Sequence, residues 1–269
     1  MNATRAGPTR VRLFVAAPLV ANASLVLPAA AARHVQVLRL QPGASLLLFN
    51  GQDGAEWQAT VLRMGRSEVE VQLGAGRAVD REQAVEVTIA LGVPANDRMD
   101  ALVEKACELG VAAIQPLLCE RSVLRLAGER GEARRRHWAG VAVAASEQCG
   151  RTRVAEILAV QTAADWLGSG GGNRSDAAAR SRIVLSLDAG AAAPGVALAS
   201  LFAQPLHAAP RPRLVALSGP EGGLSLDEEA AAVAHGFVRV GLGPRVLRAD
   251  TAPLALLAWL ALRAGDTAK

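Results

Sequence analysis

A chain of 269 residues with 51% hydrophobic and 20% charged residues holds one large domain or two modest ones, and it excludes a disordered or fibrous protein. The net charge of +4 permits a polyanionic partner without identifying one, and among the 29 basic residues only Lys105 and Lys269 are lysines. Cys107, Cys119 and Cys149 stand far apart with no C-x-x-C pair and no close histidine, which excludes a disulfide framework and a metal site and fits a reducing cytoplasm.

The first residues carry Arg5, Arg10 and Arg12 without an apolar segment and cleavage site, so no signal peptide is expected. Short strands at 13–15, 45–49, 56–62 and 68–73 are separated by Pro42-Gly43, the cluster at 50–54 and Gly65, a spacing that predicts a small β-barrel or sandwich. Asn50-Gly51 tolerates positive φ and marks a tight turn. A short helix over 28–38 interrupts the strands, and 75–84 reads as a linker.

From 85 onward the pattern changes. Val85, Val87, Ile89 and Leu91 keep period two, and Met99, Leu102, Val103, Ala106 and Leu109 recur at helical spacing, with Asp97 as N-cap and Gly110 as the C-terminal stop. A strand over 111–118, an arginine-rich helix over 129–146 and strands near 154–158, 183–188, 214–218 and 237–242 follow. Ser225-Leu226-Asp227-Glu228 is a capping box opening a helix that Gly236 ends. The glycine-rich stretch 168–182 reads as a mobile surface loop. Asp250 or Thr251 is positioned to cap a last helix whose apolar run, 251–262, is shorter than the ~20 residues that span a bilayer. Strands alternating with helices predict an α/β domain with a largely parallel sheet.

Three segments bear chemistry. Leu217-Ser218-Gly219-Pro220-Glu221-Gly222-Gly223 joins a strand to a capped helix, where an open α/β sheet binds ligands and where glycines let the main chain approach one. It has neither the lysine of a P-loop nor the G-x-G-x-x-G spacing; an ordinary turn is the alternative. Leu242-Gly243-Pro244-Arg245-Val246-Leu247-Arg248 is a second strand end running into a helix, and two such loops after successive strands meet in space. The third is Glu147-Gln148-Cys149-Gly150-Arg151 and its surroundings: 121–153 contains eight arginines against three glutamates, a basic stripe suited to a phosphate backbone or, alternatively, a solvated helix face. His34, His137, His207 and His235 lack a triad context, and Cys149 lacks a paired base.

In order and spacing these segments resemble the small-subunit ribosomal RNA uridine N3-methyltransferases, the E-type family of the SPOUT superfamily. The resemblance also rests on Arg12-Leu13-Phe14, on His34-Val35-Gln36-Val37-Leu38-Arg39, on Lys105-Ala106-Cys107-Glu108-Leu109-Gly110-Val111 and on Glu120-Arg121-Ser122. It implies a PUA-like RNA-binding β-barrel over 1–74, a linker over 75–84 and a SPOUT α/β domain with a C-terminal trefoil knot over 85–269. It further implies S-adenosyl-L-methionine as cofactor, ribosomal RNA of the small subunit as partner, a homodimer in the cytoplasm, and neither metal nor membrane. Leu185, Leu187, Leu217, Gly219, Glu221, Gly222, Gly223, Leu242, Gly243, Arg245, Val246 and Leu247 are the implied cofactor-binding residues. Arg12, Arg39, Arg134, Arg135, Arg136 and Arg153 are the implied RNA contacts, and Arg248, Arg151 and Glu147 the catalytic candidates. Two positions depart from the family pattern: Asp250 replaces a glutamate, and Asn96-Asp97 replaces a glycine-bearing pair. The alternatives are a non-catalytic RNA-binding assembly protein and a methyltransferase of this fold acting on another RNA.

The chemistry follows without the family. A sulfonium methyl donor needs in-line placement more than electrophilic help. Uridine N3 bears a proton and pairs through it, so the base must be unpaired or extruded and its charge stabilised as the proton leaves. Arginine suits that task, and Arg248 and Arg151 are both candidates.

Overall fold

The structure is a computed structural model that describes residues 11–66, 68–95, 98–124, 126, 128–171, 180–202 and 210–265. Asp97, Asn96 and most of the stretch expected as a loop over 168–182 lie outside the described residues. Contacts divide the chain into two units, one running to Glu82 and including Ser146–Val154, the other comprising Gln83–Ala145 and the chain from Ala155.

In the first unit, β1 (Arg12–Phe14), β2 (Ser24–Val26), helix α1 (Ala29–Val37), β3 (Ser45–Phe49), β4 (Ala55–Met64) and β5 (Val69–Ala78) form a sheet of order β1-β3-β4-β5-β2. β4 alternates buried Ala59 and Val61 with exposed neighbours, the period-two pattern of a strand with one covered face. Helix α1 covers that face with Ala31, Ala32 and Val35. The β3–β4 connection is an Asx turn in which Asn50 Oδ1 accepts from the amides of Gln52 and Asp53. β5 continues to Ala78, opposite Ala55, through the first half of the stretch expected as linker. The sheet is open. Its outer strands β1 and β2 are three residues each, and the ladders among the described residues do not join them, so the closed barrel implied by resemblance is not formed here.

The Ser146–Val154 segment is tied into this unit by charge. Arg12 donates to the carbonyls of Ser146, Glu147, Gly150 and Arg151 and, through Nε, to Glu56 at 3.0 Å. Glu56, 5% exposed, also takes Arg81 at 2.8 Å and Arg77 at 3.3 Å. Burial raises the Glu56 carboxyl, but Arg81, Arg12 and Arg77 outweigh it and hold the group below its ordinary value.

The second unit contains β6 (Glu86–Gly92), α2 (Arg98–Glu108), β7 (Ala113–Leu118), most of α3 (Glu129–Cys149), β8 (Glu156–Ile157), β9 (Gln161–Thr162), α4 (Ala163–Gly168), β10 (Arg180–Leu185), α5 (Pro194–Ala197), β11 (Arg213–Ser218), α6 (Leu226–Ala234), β12 (Val238–Val240) and α7 (Thr251–Gly265). Its sheet, β12-β10-β11-β6-β7-β8 with β9 beside β7, is parallel throughout. Val87, Ile89, Leu91, Ile114 and Leu214 to Leu217 are buried, because helices cover a parallel sheet on both faces. α2 buries Met99, Leu102, Val103 and Ala106 at the expected spacing, and Gly110 with φ 84° ends it. Ser225 and Glu228 form the capping box of α6. The buried residues of α7, Pro253, Leu256, Leu257 and Leu260, make one stripe, while Leu262 is 74% exposed. Among the described residues no helix is long and apolar enough to cross a membrane.

Candidate active site

Parallel strands end with their carboxyl termini on one side, and the loops leaving β10, β11 and β12 converge there around a cleft of about 660 Å³. The cleft is lined by Leu185 at the end of β10 and Leu187 just after it, by Gly219, Glu221, Gly222 and Gly223 after β11, and by Leu242, Gly243, Arg245, Val246 and Leu247 after β12, with Arg248 beside them. The expected cofactor residues are thus brought together, with one exception: Leu217 is 1% exposed, packs beneath the loop and does not line the cleft.

The glycine loop is tightly built. The Gly223 amide donates to the Pro220 carbonyl at 2.8 Å, closing a turn. A Cβ on Gly219 would stand 2.5 Å from the Leu224 nitrogen, and one on Gly222 would stand 3.0 Å from Arg121 Cβ. The loop is also anchored to its neighbours. Glu221 Oε1 accepts from the Ala95 amide at 2.9 Å and lies 3.8 Å from Arg98 Nη1. Glu228 Oε1 accepts from the Glu120 amide, and its Oε2 accepts from the Ser225 amide, each at 2.9 Å.

On the opposite wall Glu229 accepts from Ser186 Oγ at 2.9 Å and from Arg239 Nε at 2.6 Å. Arg248 and Arg245 are exposed on the rim. The Arg248 carbonyl takes the amides of Thr251 and Ala252, each at 3.0 Å, which opens α7. The side-chain cap expected from Asp250 or Thr251 is not made among the described residues; Asp250 Oδ1 is buried without a partner there.

The remaining expected residues lie elsewhere. Arg151 is 3% exposed and held by Glu82, and Glu147 Oε1 accepts from the Phe14 amide at 2.9 Å with Oε2 3.6 Å from His34 Nδ1. Both are engaged within the first unit and neither lines the cleft. Arg12 has a 12% exposed side chain whose donors are committed to main-chain carbonyls and Glu56. Arg39, Arg134, Arg136 and Arg153 are exposed, whereas Arg135 pairs with Glu132 at 2.7 Å. Arg134 and Arg130 border a second hollow of about 340 Å³ with Val123, Leu124 and Leu126. His137 Nε2 meets Asp100 at 2.6 Å and His235 Nδ1 lies 2.8 Å from the Ala231 carbonyl, which makes both surface groups. The described residues contain no cluster able to hold a metal ion. Sequence reasoning missed Arg98, Arg121 and Arg239 in the cleft; applying the strand-end rule to β6 and β7 as well would have found the first two.

Residues 81–261 match the family of RNA methyltransferase domains, and residues 27–74 match the RNA methyltransferase PUA domain. The chain is 30% identical over 248 residues to the ribosomal RNA small subunit methyltransferase E of Synechocystis sp., covering 92% of this chain and 76% of the relative. It is 28% identical over 235 residues to the protein of the same name from Bacillus subtilis, covering 83% of each. Among solved structures it is similar to a ribosomal RNA small subunit methyltransferase E from Neisseria gonorrhoeae bound to S-adenosyl methionine, with a TM-score of 0.81 and 30% identity over 93% of this chain and 96% of that one.

Proposed function

The chain belongs to the ribosomal RNA small subunit methyltransferase E family, and from that premise we propose that it transfers a methyl group from S-adenosyl-L-methionine to N3 of a uridine in 16S ribosomal RNA. The observation that carries the reading is the cleft at the carboxyl ends of β10, β11 and β12, walled by two glycine loops. The residues present fit the cofactor: the crowding at Gly219 and Gly222 leaves main chain, not side chains, facing the ligand, and Leu185, Leu187 and Leu247 offer apolar walls. Bound there, the cofactor supplies an electrophilic methyl group.

The chain's own residues do the rest. Loops 219–223 and 242–247 orient the donor, and Leu217 supports the first of them from below. Arg248, exposed on the rim with its carbonyl fixed at the start of α7, stabilises charge on the flanking uridine oxygens as N3 loses its proton. Arg151 and Glu147 serve the architecture of the first unit, not the reaction. Residues 1–74 and the exposed Arg39, Arg134, Arg136 and Arg153 bind RNA. The two cleft loops belong to a trefoil knot, and two copies associate in the cytoplasm.

Calorimetric titration with S-adenosyl-L-methionine, together with mass spectrometry of 16S RNA from cells with and without the protein, tests the reading. Failure to bind the cofactor, or unchanged RNA modification, overturns it. Arg248→Ala is expected to lower single-turnover methylation about 10²-fold with cofactor affinity retained, as for loss of one preorganised donor. Light scattering that returns a monomeric mass removes the dimer.

A further inference from the structure

The turn Glu120-Arg121-Ser122 follows β7, outside the two glycine loops, yet it holds the first of them at Gly222 and at the capping box that follows it. Ser122 Oγ accepts from the Cys119 amide at 3.0 Å and the Ser122 amide returns to the Cys119 carbonyl at 3.0 Å, so the turn is rigid. The Glu120 amide is held by Glu228, which also closes the capping box at the end of the glycine loop. Arg121 Nη1 donates to the Gly222 carbonyl at 2.9 Å. Its aliphatic stem lies flat against the same residue: a Cβ on Gly222 would meet Arg121 Cβ at 3.0 Å and Cδ at 3.5 Å.

A carbonyl held by a guanidinium fixes the plane of its peptide, and the 222–223 peptide is the one whose amide closes the turn back to Pro220. We propose that Arg121 is a positioning residue for the cofactor: by clamping the Gly222 carbonyl from outside the loop it holds the main chain in the conformation that receives the methyl donor. The inference rests on the cofactor reading given above. It also accounts for glycine at 222, since the clamp needs the space that a Cβ would take.

Arg121 lines the cleft and is exposed, so direct contact with RNA is the competing role. The two roles separate in one set of measurements on the full chain: wild type, R121A and R121K, each titrated with S-adenosyl-L-methionine and separately with a 16S RNA fragment, beside thermal unfolding. Loss of one charge-assisted hydrogen bond is expected to weaken cofactor binding by R121A about tenfold or more, with RNA affinity within about twofold of wild type. R121K, which keeps stem and charge but not the planar fork, is expected to recover part of the cofactor affinity. Wild-type cofactor affinity in R121A, or a loss confined to RNA binding, overturns the proposal. If R121A does not fold, R121K decides alone: a cofactor affinity equal to wild type overturns the clamp, and a selective cofactor loss of about threefold or more at unchanged unfolding temperature supports it. Wild type that does not bind the cofactor refutes the underlying functional reading, an outcome distinct from failure of the clamp.

Discussion

Replacing Gly219 by alanine tests whether main chain, not side chains, holds the cofactor. The added Cβ would stand 2.5 Å from the Leu224 nitrogen and 2.7 Å from the Gly223 carbonyl carbon, both backbone atoms of the same loop. No side-chain rotation relieves such contacts, so the loop itself must open. Gly219 is outside the left-handed region, and the effect is therefore steric and not a matter of φ. Overpacking costs about 1–3 kcal/mol. About 2 kcal/mol expressed as lost loop geometry weakens cofactor binding about 30-fold. Gly222→Ala places its Cβ 3.0 Å from Arg121 Cβ, a conflict relieved by a shift of a few tenths of an ångström, so a loss of about three- to tenfold is expected. Gly195→Ala, with no atom within 4 Å of the new Cβ, serves as the control and should bind normally. Calorimetry of the three variants beside thermal unfolding reads the order directly. Wild-type affinity in Gly219→Ala, or a larger loss at Gly222 than at Gly219, refutes the argument.

Glu56→Gln breaks the buried pair with Arg12; because Arg77 and Arg81 are 75% and 41% exposed and contribute little, the expected loss of about 3 kcal/mol comes mainly through Arg12, read as faster hydrogen exchange in β3 to β5 under mild urea. The Glu56 carboxyl lies below its ordinary 4.5 when folded, so its contribution is present above that value and fades as pH falls through the folded pKa; the stability gap between wild type and Glu56→Gln should narrow in acid, and a gap constant from pH about 7 to about 3 would contradict this. The Cys119 thiol is pushed up to about 12 by burial and by the charge of Glu228, so iodoacetamide at pH about 8 should leave it unlabelled in the folded protein, as mass spectrometry of the native and urea-denatured samples would report. Replacing Arg134 and Arg136 together by alanine should lower the salt slope of RNA binding by about 2, and Arg135→Ala, which removes a guanidinium already paired with Glu132, should lower it far less; equal slopes for both variants return the stripe to a solvated face.

The α/β alternation, the capping box at Ser225 and Glu228, the helical face of α2 and the two glycine loops were legible in the chain because each is encoded over a few neighbouring residues: period two or 3.6, a cap with its partner three positions on, glycines where a strand meets a helix. β2, β9 and α5 escaped notice because two to four residues are too few to show a period. The site divides in the same way. The loops after β11 and β12 were found whole, whereas Arg98 and Arg121 reach the cleft from beyond β6 and β7, strands that stand first and second beside β11 only through the order of strands in the sheet.

Arginine roles were decided by tertiary structure alone. Arg12, Arg151 and Arg248 look alike in the sequence, each an arginine within a short motif, yet Arg12 is spent on four main-chain carbonyls and Glu56, Arg151 on Glu82, and Arg248 stands exposed on the cleft rim. The open sheet of the first unit, with β1 pairing parallel to β3, was equally invisible, since register between distant strands leaves no local mark. Local periodicity specifies which segments become helix and strand. Whether a guanidinium is consumed by the fold or left for a ligand depends on which carboxylates and carbonyls the folded chain brings within about 3 Å of it, and a linear sequence carries no record of that distance.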